Sequence, residues 1–277
     1  MTVAKIPLAG VIGSPIAHSR SPRLHQHWLK QFGLAGHYIP MDISHQNLEE
    51  VIRALPKAGF VGVNITVPHK ETVMGIADLI TDRATLIGAA NTLIFRKDGK
   101  IHADNTDGYG FIENLRNGAP GWNPKAGPAL VLGAGGAARA VVASLADAGV
   151  PEIILSNRTR IRAEKLKDDF GKRVRVVDWV QAGNMIDESL LVVNSTSLGM
   201  TGKPALRVPL DGLKPHMVVT DLVYAPLKTP LLQAAEEAGC TTVDGLGMLI
   251  YQAIPAFERW FGHRPEADAT TRAALLA

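Results

Sequence analysis

The chain has 277 residues, 46% of them hydrophobic and 20% charged, with a formal net charge of +3 at pH 7. This balance excludes a disordered chain, and the length suits two modest domains. The single cysteine, Cys240, excludes a disulfide framework and any multi-cysteine metal site within one chain, and no apolar run approaches the roughly 18 residues of a membrane span.

The N-terminus, Met1-Thr2-Val3-Ala4-Lys5-Ile6-Pro7, has no charged stretch followed by an apolar one, so no secretory leader is expected and the protein is read as cytoplasmic. Apolar runs of roughly four to eight residues then alternate with longer amphipathic stretches, the pattern of a parallel sheet crossed by helices. Strands are predicted at Leu8–Ile12, Tyr38–Ile43 and Gly62–Val67, and helices at Pro22–Phe32 and Leu48–Ala58. Asn91–Phe95 and Ile101–Ala103, joined through Lys97-Asp98-Gly99, read as a β-hairpin. A helix over Tyr109–Asn117 runs into the Gly/Pro-rich stretch 117–124, the expected joint between domains. The alternation then restarts with strand Ala129–Leu132, helix Ala137–Ala148, strand Glu152–Leu155 and helix Arg160–Phe170. Strands at Leu191–Asn194 and Val218–Leu222, a helix at Pro230–Ala238 and a last helix over Leu246–Phe261 complete the pattern, with no internal repeat.

Charge is unevenly placed. Between Ser156 and Arg175, eight cations stand against Glu164, Asp168 and Asp169, a local net of +5 that leaves −2 for the rest of the chain. Nucleic-acid binding calls for a broader basic stripe interleaved with aromatics, whereas a compact patch suits a small phosphate-bearing ligand.

A dinucleotide motif lies just upstream of that patch. Ala129-Leu130-Val131-Leu132 leads into Gly133-Ala134-Gly135-Gly136-Ala137-Ala138, a G-x-G-x-x-A run after an apolar strand and opening a helix. Gly133 permits the tight turn, Gly135 lets backbone approach a pyrophosphate, and the helix start offers N–H groups and a positive dipole end to phosphates. An NAD site would place a carboxylate at the end of the next strand to bond the ribose 2′-hydroxyl. Here that strand ends in Ser156-Asn157-Arg158-Thr159, followed by Arg160 and Arg162. Guanidinium groups suit a 2′-phosphate, so NADP is the expected cofactor.

Small polar groups gather at strand ends of the first third. Ser19 and Ser21 precede the start of a helix at Pro22; Ser21 suits an N-cap, and Ser19 is not needed for that cap. Two hydroxyls at a loop–helix junction can bind a carboxylate with neutral donors. Asn64-Ile65-Thr66-Val67-Pro68-His69-Lys70 comes at the end of an apolar strand. Asn91-Thr92 and Asn105-Thr106-Asp107-Gly108 add further small polar groups, the latter after the hairpin, and strand ends line the ligand crevice of open α/β sheets.

Ser19-Arg20-Ser21-Pro22, Asn64 to Lys70, Gly88-Ala89-Ala90-Asn91-Thr92, Asn105 to Gly108, Gly133 to Ala137, Asn157-Arg158-Thr159, and Asp244-Gly245-Leu246-Gly247-Met248 with Gln252, taken in that order, resemble the shikimate dehydrogenase family. The resemblance covers nearly the whole chain. It implies an NADP-linked interconversion of 3-dehydroshikimate and shikimate on the way to chorismate and the aromatic amino acids. By the same resemblance, Ser19 and Ser21 hold the substrate carboxylate, Thr66 and Asn91 contact ring hydroxyls, and Gln252 closes the site from the C-terminal helix. Lys70 and Asp107 match the catalytic pair, and Tyr224 matches a position near substrate and nicotinamide. Gly133, Ala134, Gly135, Gly136, Ala137, Asn157, Arg158, Thr159, Arg162, Gly245 and Met248 match the cofactor side, although Met248 suits ordinary core packing equally well.

The implied architecture is α/β in two domains. A substrate-binding domain with a mostly parallel sheet takes residues 1–109 plus 244–277. A Rossmann-like NADP domain takes 110–243, with the C-terminal helices returning to the first domain and the active site in the cleft. The expected partner is a small-molecule substrate, with neither nucleic acid nor membrane, in a monomer or homodimer.

Carbonyl reduction needs a proton donor within hydrogen-bond reach of the oxygen. Lys70 can donate or can stabilise the developing alkoxide. Free lysine, with a pKa of about 10.4, is almost wholly protonated near neutral pH, too high a pKa for an efficient base in the oxidation direction. Burial would lower that value and a nearby Asp107 would raise it, so the division of labour stays open.

Other chemistries lack their motifs. The nine histidines include no H-E-x-x-H pair, and His25 and His27 point to different helix faces, so no metal is expected. There is no G-x-S-x-G elbow and no P-loop, and Cys240 reads as a buried thiol. Two alternatives remain: a quinate/shikimate dehydrogenase with relaxed NAD/NADP use, and a non-catalytic ligand-sensing module. The second would lack Lys70 or Asp107, and both are present.

Overall fold

The structure, a computed structural model, describes residues 6–277, so the reading of residues 1–5 lies outside the described residues. Its first sheet is built from β1 (Leu8–Gly13), β2 (His37–Asp42), β3 (Phe60–Ile65), β4 (Leu79–Ile80), β5 (Thr92–Phe95) and β6 (Ile101–Asp104), with α1 (Ser21–Gln31), α2 (Leu48–Ala54) and α3 (Asp82–Ile87) between them. The strand order is β2-β1-β3-β5-β6-β4. The β3–β5 and β5–β6 pairings are antiparallel and the others parallel, so the predicted hairpin makes this a mixed sheet.

The second sheet follows α4 (Asp107–Gly118). It comprises β7 (Ala129–Leu132), α5 (Gly136–Ala148), β8 (Ile153–Ser156), α6 (Arg160–Phe170), β9 (Val174–Val177), β10 (Leu191–Asn194), β11 (Val218–Asp221), α7 (Pro230–Glu237) and β12 (Thr241–Val243). The order β12-β11-β10-β7-β8-β9 is parallel throughout and reverses direction between β7 and β10, a doubly wound sheet. Every residue of β7, β8, β10 and β11 is buried, as expected of strands covered on both faces. The chain closes with α8 (Gly245–Phe261) and α9 (Ala269–Leu276).

These elements divide into two compact units. One takes the described chain up to Thr106 together with Leu249–Ala277; the other is Asp107–Met248. The Gly/Pro-rich stretch 117–124 therefore lies inside the second unit and is not a joint. The reason is α4, whose Phe111 and Leu115 belong to the second unit's core with Val131, Val141 and Leu145. In the first unit, Ile12, Ile52, Val63, Ile65 and Leu93 form the core on one side of the sheet. On α1, Leu24, His25 and Trp28 share the buried face, with His25 and Trp28 against Phe257 of α8. The Trp28 indole N–H donates to the Thr271 hydroxyl at 3.2 Å, fastening α9 to α1.

Local chemistry explains where the boundaries differ from those expected. The helix predicted over Leu48–Ala58 ends at Ala54 and tightens into a 3₁₀ turn at Leu55–Ala58, because Pro56 has no N–H to continue it. β3 stops at Ile65, which leaves Thr66 and Val67 in the loop, and α4 starts at Asp107 rather than Tyr109. β4, α3, β9 and α9 were not expected; two to four residues of strand carry too little periodicity to stand out. Among the described residues, no helix is long and apolar enough to cross a membrane.

Candidate active site

In the first unit, the polar residues at the strand ends form one directional hydrogen-bond chain. Ser21 is not the N-cap of α1 but its first residue; its N–H donates to the Ser19 hydroxyl at 3.3 Å, and its own hydroxyl bonds the Tyr38 phenol. Tyr38 is fully buried and donates to Asn64 Oδ1 at 2.7 Å. Asn64 Nδ2 donates at 3.1 Å to the Asn91 carbonyl and, also at 3.1 Å, to the Thr92 hydroxyl. Thr92 in turn donates to Asn91 Oδ1 at 3.0 Å. Asn91 Nδ2 reaches Gln252 Oε1 at 3.0 Å and the Thr106 hydroxyl at 2.9 Å. Thr106 returns its backbone N–H to Asn91 Oδ1 and its hydroxyl to the Gln252 carbonyl, both at 2.8 Å.

Ser21, Asn91 and Gln252, expected from sequence, are thus brought together, while Tyr38, Asn64, Thr92 and Thr106 are the members that sequence reasoning missed as site residues. Asn64, Thr92 and Thr106 lay inside quoted motifs, but Tyr38 reads as an ordinary strand residue. Burial pushes the Tyr38 phenol well above its usual range, so it stays protonated and keeps donating.

Thr66 and Lys70 are half-buried after β3. The Thr66 N–H is held by the Ile12 carbonyl at 2.8 Å, and the Lys70 carbonyl accepts from the Ala90 N–H at 2.8 Å, which fixes that backbone beside the Asn91 turn. His69 is fully buried with Nε2 at 2.7 Å from the Ile43 carbonyl, so it anchors the loop instead of facing solvent. His18 is exposed. Just before Thr106, Asp104 is held by Arg83, by the Thr81 hydroxyl at 2.8 Å and by the Asn105 N–H at 2.8 Å. Despite its burial, the Arg83 guanidinium and these hydrogen bonds keep the Asp104 carboxyl below its usual range.

In the second unit, Asp107 is buried at the start of α4, and Tyr224 is half-buried after β11. The motif Gly133 to Ala137 makes the β7–α5 turn. Gly133 has φ +113°, and a Cβ there would lie 2.6 Å from the Ser195 hydroxyl, so only glycine fits. At Gly135 a Cβ would meet nothing within 4 Å, so the turn presents open space to a ligand. The first turn of α5 carries no side-chain cap and no acidic residue, which leaves its N–H groups for an anion.

Beyond β8, Asn157 donates to the Thr159 carbonyl at 2.8 Å. Arg160 is neutralised by Asp178 at 2.6 Å and by Glu164 at 2.8 Å. Arg158 and Arg162 are exposed and make no ion pair among the described residues. These two cations and the open turn fit a dinucleotide bearing an extra phosphate. Met248 is buried in the second unit's core, and a Cβ on Gly245 would lie 2.4 Å from the Leu222 carbonyl oxygen, so both pack against protein. The described residues hold no cluster of metal ligands, and Cys240 is buried with its thiol on the Lys214 carbonyl at 3.1 Å.

Comparison with known proteins agrees with this geometry. Family models match at residues 11–93 (shikimate dehydrogenase substrate binding domain), 123–201 (shikimate / quinate 5-dehydrogenase) and 245–275 (shikimate 5′-dehydrogenase C-terminal domain). The chain is 68% identical over 275 residues to a shikimate dehydrogenase (NADP(+)) of Cereibacter sphaeroides, with 99% of each covered. It is similar at a TM-score of 0.90 to the crystal structure of shikimate dehydrogenase from Aquifex aeolicus, at 35% identity over 100% of both chains. A TM-score of 0.85 relates it to the shikimate 5-dehydrogenase of Thermus thermophilus in complex with NADP(H) and shikimate, at 37% identity over 98% of each chain.

Proposed function

The chain belongs to the shikimate dehydrogenase family, and from that premise we propose that it catalyses the reversible, NADP-dependent reduction of 3-dehydroshikimate to shikimate. The observation that carries this reading is the neutral hydroxyl and amide chain from Ser21 through Asn64 and Asn91 to Gln252. A small polyhydroxylated ring acid needs many oriented neutral partners, and a pre-bonded network supplies them without reorganisation. Ser19 and Ser21 would hold the carboxylate, and Thr66, Asn91 and Gln252 the ring hydroxyls.

NADP, when bound, supplies the hydride in reduction and accepts it in oxidation. The residues that would hold it are the Gly133–Ala137 turn, Asn157, Arg158, Thr159 and Arg162, with the 2′-phosphate on the two arginines. Lys70, as an ammonium, donates the proton to the carbonyl oxygen or stabilises the alkoxide that develops there. Asp107, an acceptor-only group when ionised, takes a hydrogen bond from the reacting hydroxyl. The same reading places the enzyme in the cytoplasm as a monomer or homodimer, which light scattering on a sizing column distinguishes.

Appearance of NADPH absorbance on adding shikimate and NADP tests the function directly, and no absorbance change would refute it. The Michaelis constant for NADP is expected to lie far below that for NAD. Arg158→Ala removes charge-assisted hydrogen bonds and narrows that gap by about 10- to 100-fold. An unchanged ratio would dissociate Arg158 from cofactor choice.

A further inference from the structure

Asp221 ends β11, directly paired with Asn194 at the end of β10, and is 1% exposed. It has no cationic partner among the described residues, although such a carboxylate is costly to bury. Donors from three segments converge on it. Asn194 Nδ2 and the Val223 N–H donate to Oδ1 at 2.9 and 3.0 Å, and the Thr229 hydroxyl donates to Oδ2 at 2.7 Å. Thr229 also accepts from the Leu232 N–H as the cap of α7.

Asn194 continues the relay on its other side. Its Oδ1 accepts from the Thr196 N–H at 3.1 Å and the Thr196 hydroxyl at 2.7 Å, and its Nδ2 also reaches the Leu198 carbonyl at 3.1 Å. Thr196 and Ser195 border Gly133, where a Cβ would come within 3.0 Å and 2.6 Å of their side chains. One continuous set of hydrogen bonds thus runs from the wall of the dinucleotide turn to the residue before Tyr224.

We infer that Asp221 is a positioning residue, whose carboxylate fastens the segment after β10 to the Val223–Tyr224 turn and so sets where the Tyr224 side chain stands. The inference rests on the proposed dehydrogenase reading for what Tyr224 does there. An ionised carboxylate is the one side chain of this size that accepts on every lone pair, so it can gather three donors without offering a misplaced hydrogen. Burial pushes its carboxyl up to about 6, which still leaves it mostly ionised at neutral pH. Asparagine would preserve the two contacts on Oδ1 and turn its amide toward Thr229, whose oxygen can accept. Alanine would release both neighbouring segments.

The test uses the full chain. Asp221→Ala is expected to lower kcat/KM for shikimate by about 30-fold, the scale of a misplacement near 1 Å, while Asp221→Asn stays within about threefold of the parent. In a Tyr224→Ala background the same Asp221→Ala change is expected to cost less than about threefold, because the two residues act as one unit. Independently of activity, hydrogen exchange at the Val223 amide should rise at least about tenfold in Asp221→Ala and stay protected in Asp221→Asn.

If Asp221→Ala does not fold, Thr229→Val, which removes the Oδ2 contact and with it the hydroxyl cap of α7, reports the same coupling to Tyr224 with a smaller loss. Additive losses in the cycle, or unchanged exchange at Val223, would overturn the inference. Absence of shikimate oxidation in the parent protein would instead refute the functional reading, while the exchange measurement still judges the positioning.

Discussion

Lys70→Ala is expected to lower turnover of shikimate by about a hundred- to ten-thousand-fold, the range of a lost general acid or base. The shikimate dissociation constant, measured calorimetrically without cofactor, should move by less than about tenfold. The asymmetry follows from where the charge is needed. The proposed carboxylate contacts come from Ser19 and Ser21 and the ring contacts from Asn91 and Gln252, all independent of the ammonium. Charge on the reacting oxygen develops only in the transition state, and there Lys70 acts. Equal losses in turnover and binding would recast Lys70 as a binding residue.

His25→Phe is expected to remove a large pH dependence of stability from the first unit. His25 is fully buried, stacked on Tyr38 with ring centroids 3.9 Å apart, and neither ring nitrogen has a hydrogen-bond partner among the described residues. Burial lowers its pKa from 6.5 to about 3. Between those values the unfolded chain binds a proton that the folded protein refuses. His25 therefore contributes stability that is complete above pH 6.5 and is lost as pH falls toward 3. The slope is about 1.4 kcal/mol per pH unit, or about 2 kcal/mol between pH 6.5 and 5.

Asp221 tilts the other way. Its folded pKa of about 6 lies above the ordinary 3.8, so its contribution is complete below 3.8 and is lost as pH rises through 6. The two opposing terms sit in different units, His25 in the first and Asp221 in the second. On going from pH 7 to pH 5, urea unfolding should show the parent lose about 2 kcal/mol more stability than His25→Phe. Identical pH dependence in both proteins would show that His25 does not titrate as its burial requires.

Legibility followed the range of the interactions. The Gly133 turn, the arginines after β8 and the strand–helix alternation of the second unit were readable because each is specified within a few consecutive residues. Arg160 shows the limit: its sequence neighbours mark it as a cofactor candidate, but Asp178, eighteen positions on, neutralises it. Tyr38 carried no signal, since its role comes from Ser21 and Asn64, both remote in the chain. The joint expected at 117–124 was misplaced because turn chemistry marks a bend without saying which core the preceding helix joins. Asp107 was expected before the helix and is its first residue, a boundary shift that leaves its carboxylate at the positive end of α4.

The first unit is assembled from two stretches of chain that flank the second. A nascent polypeptide leaving the ribosome can complete Asp107–Met248 while Gln252, Phe257 and Thr271 are still unmade. At roughly 5–20 residues per second, Asn91 and Trp28 wait for those partners for several seconds or longer. During that interval the early segment offers unpaired amides and uncovered aromatic surface, so protection by chaperones should matter most for the half that is translated first and finished last.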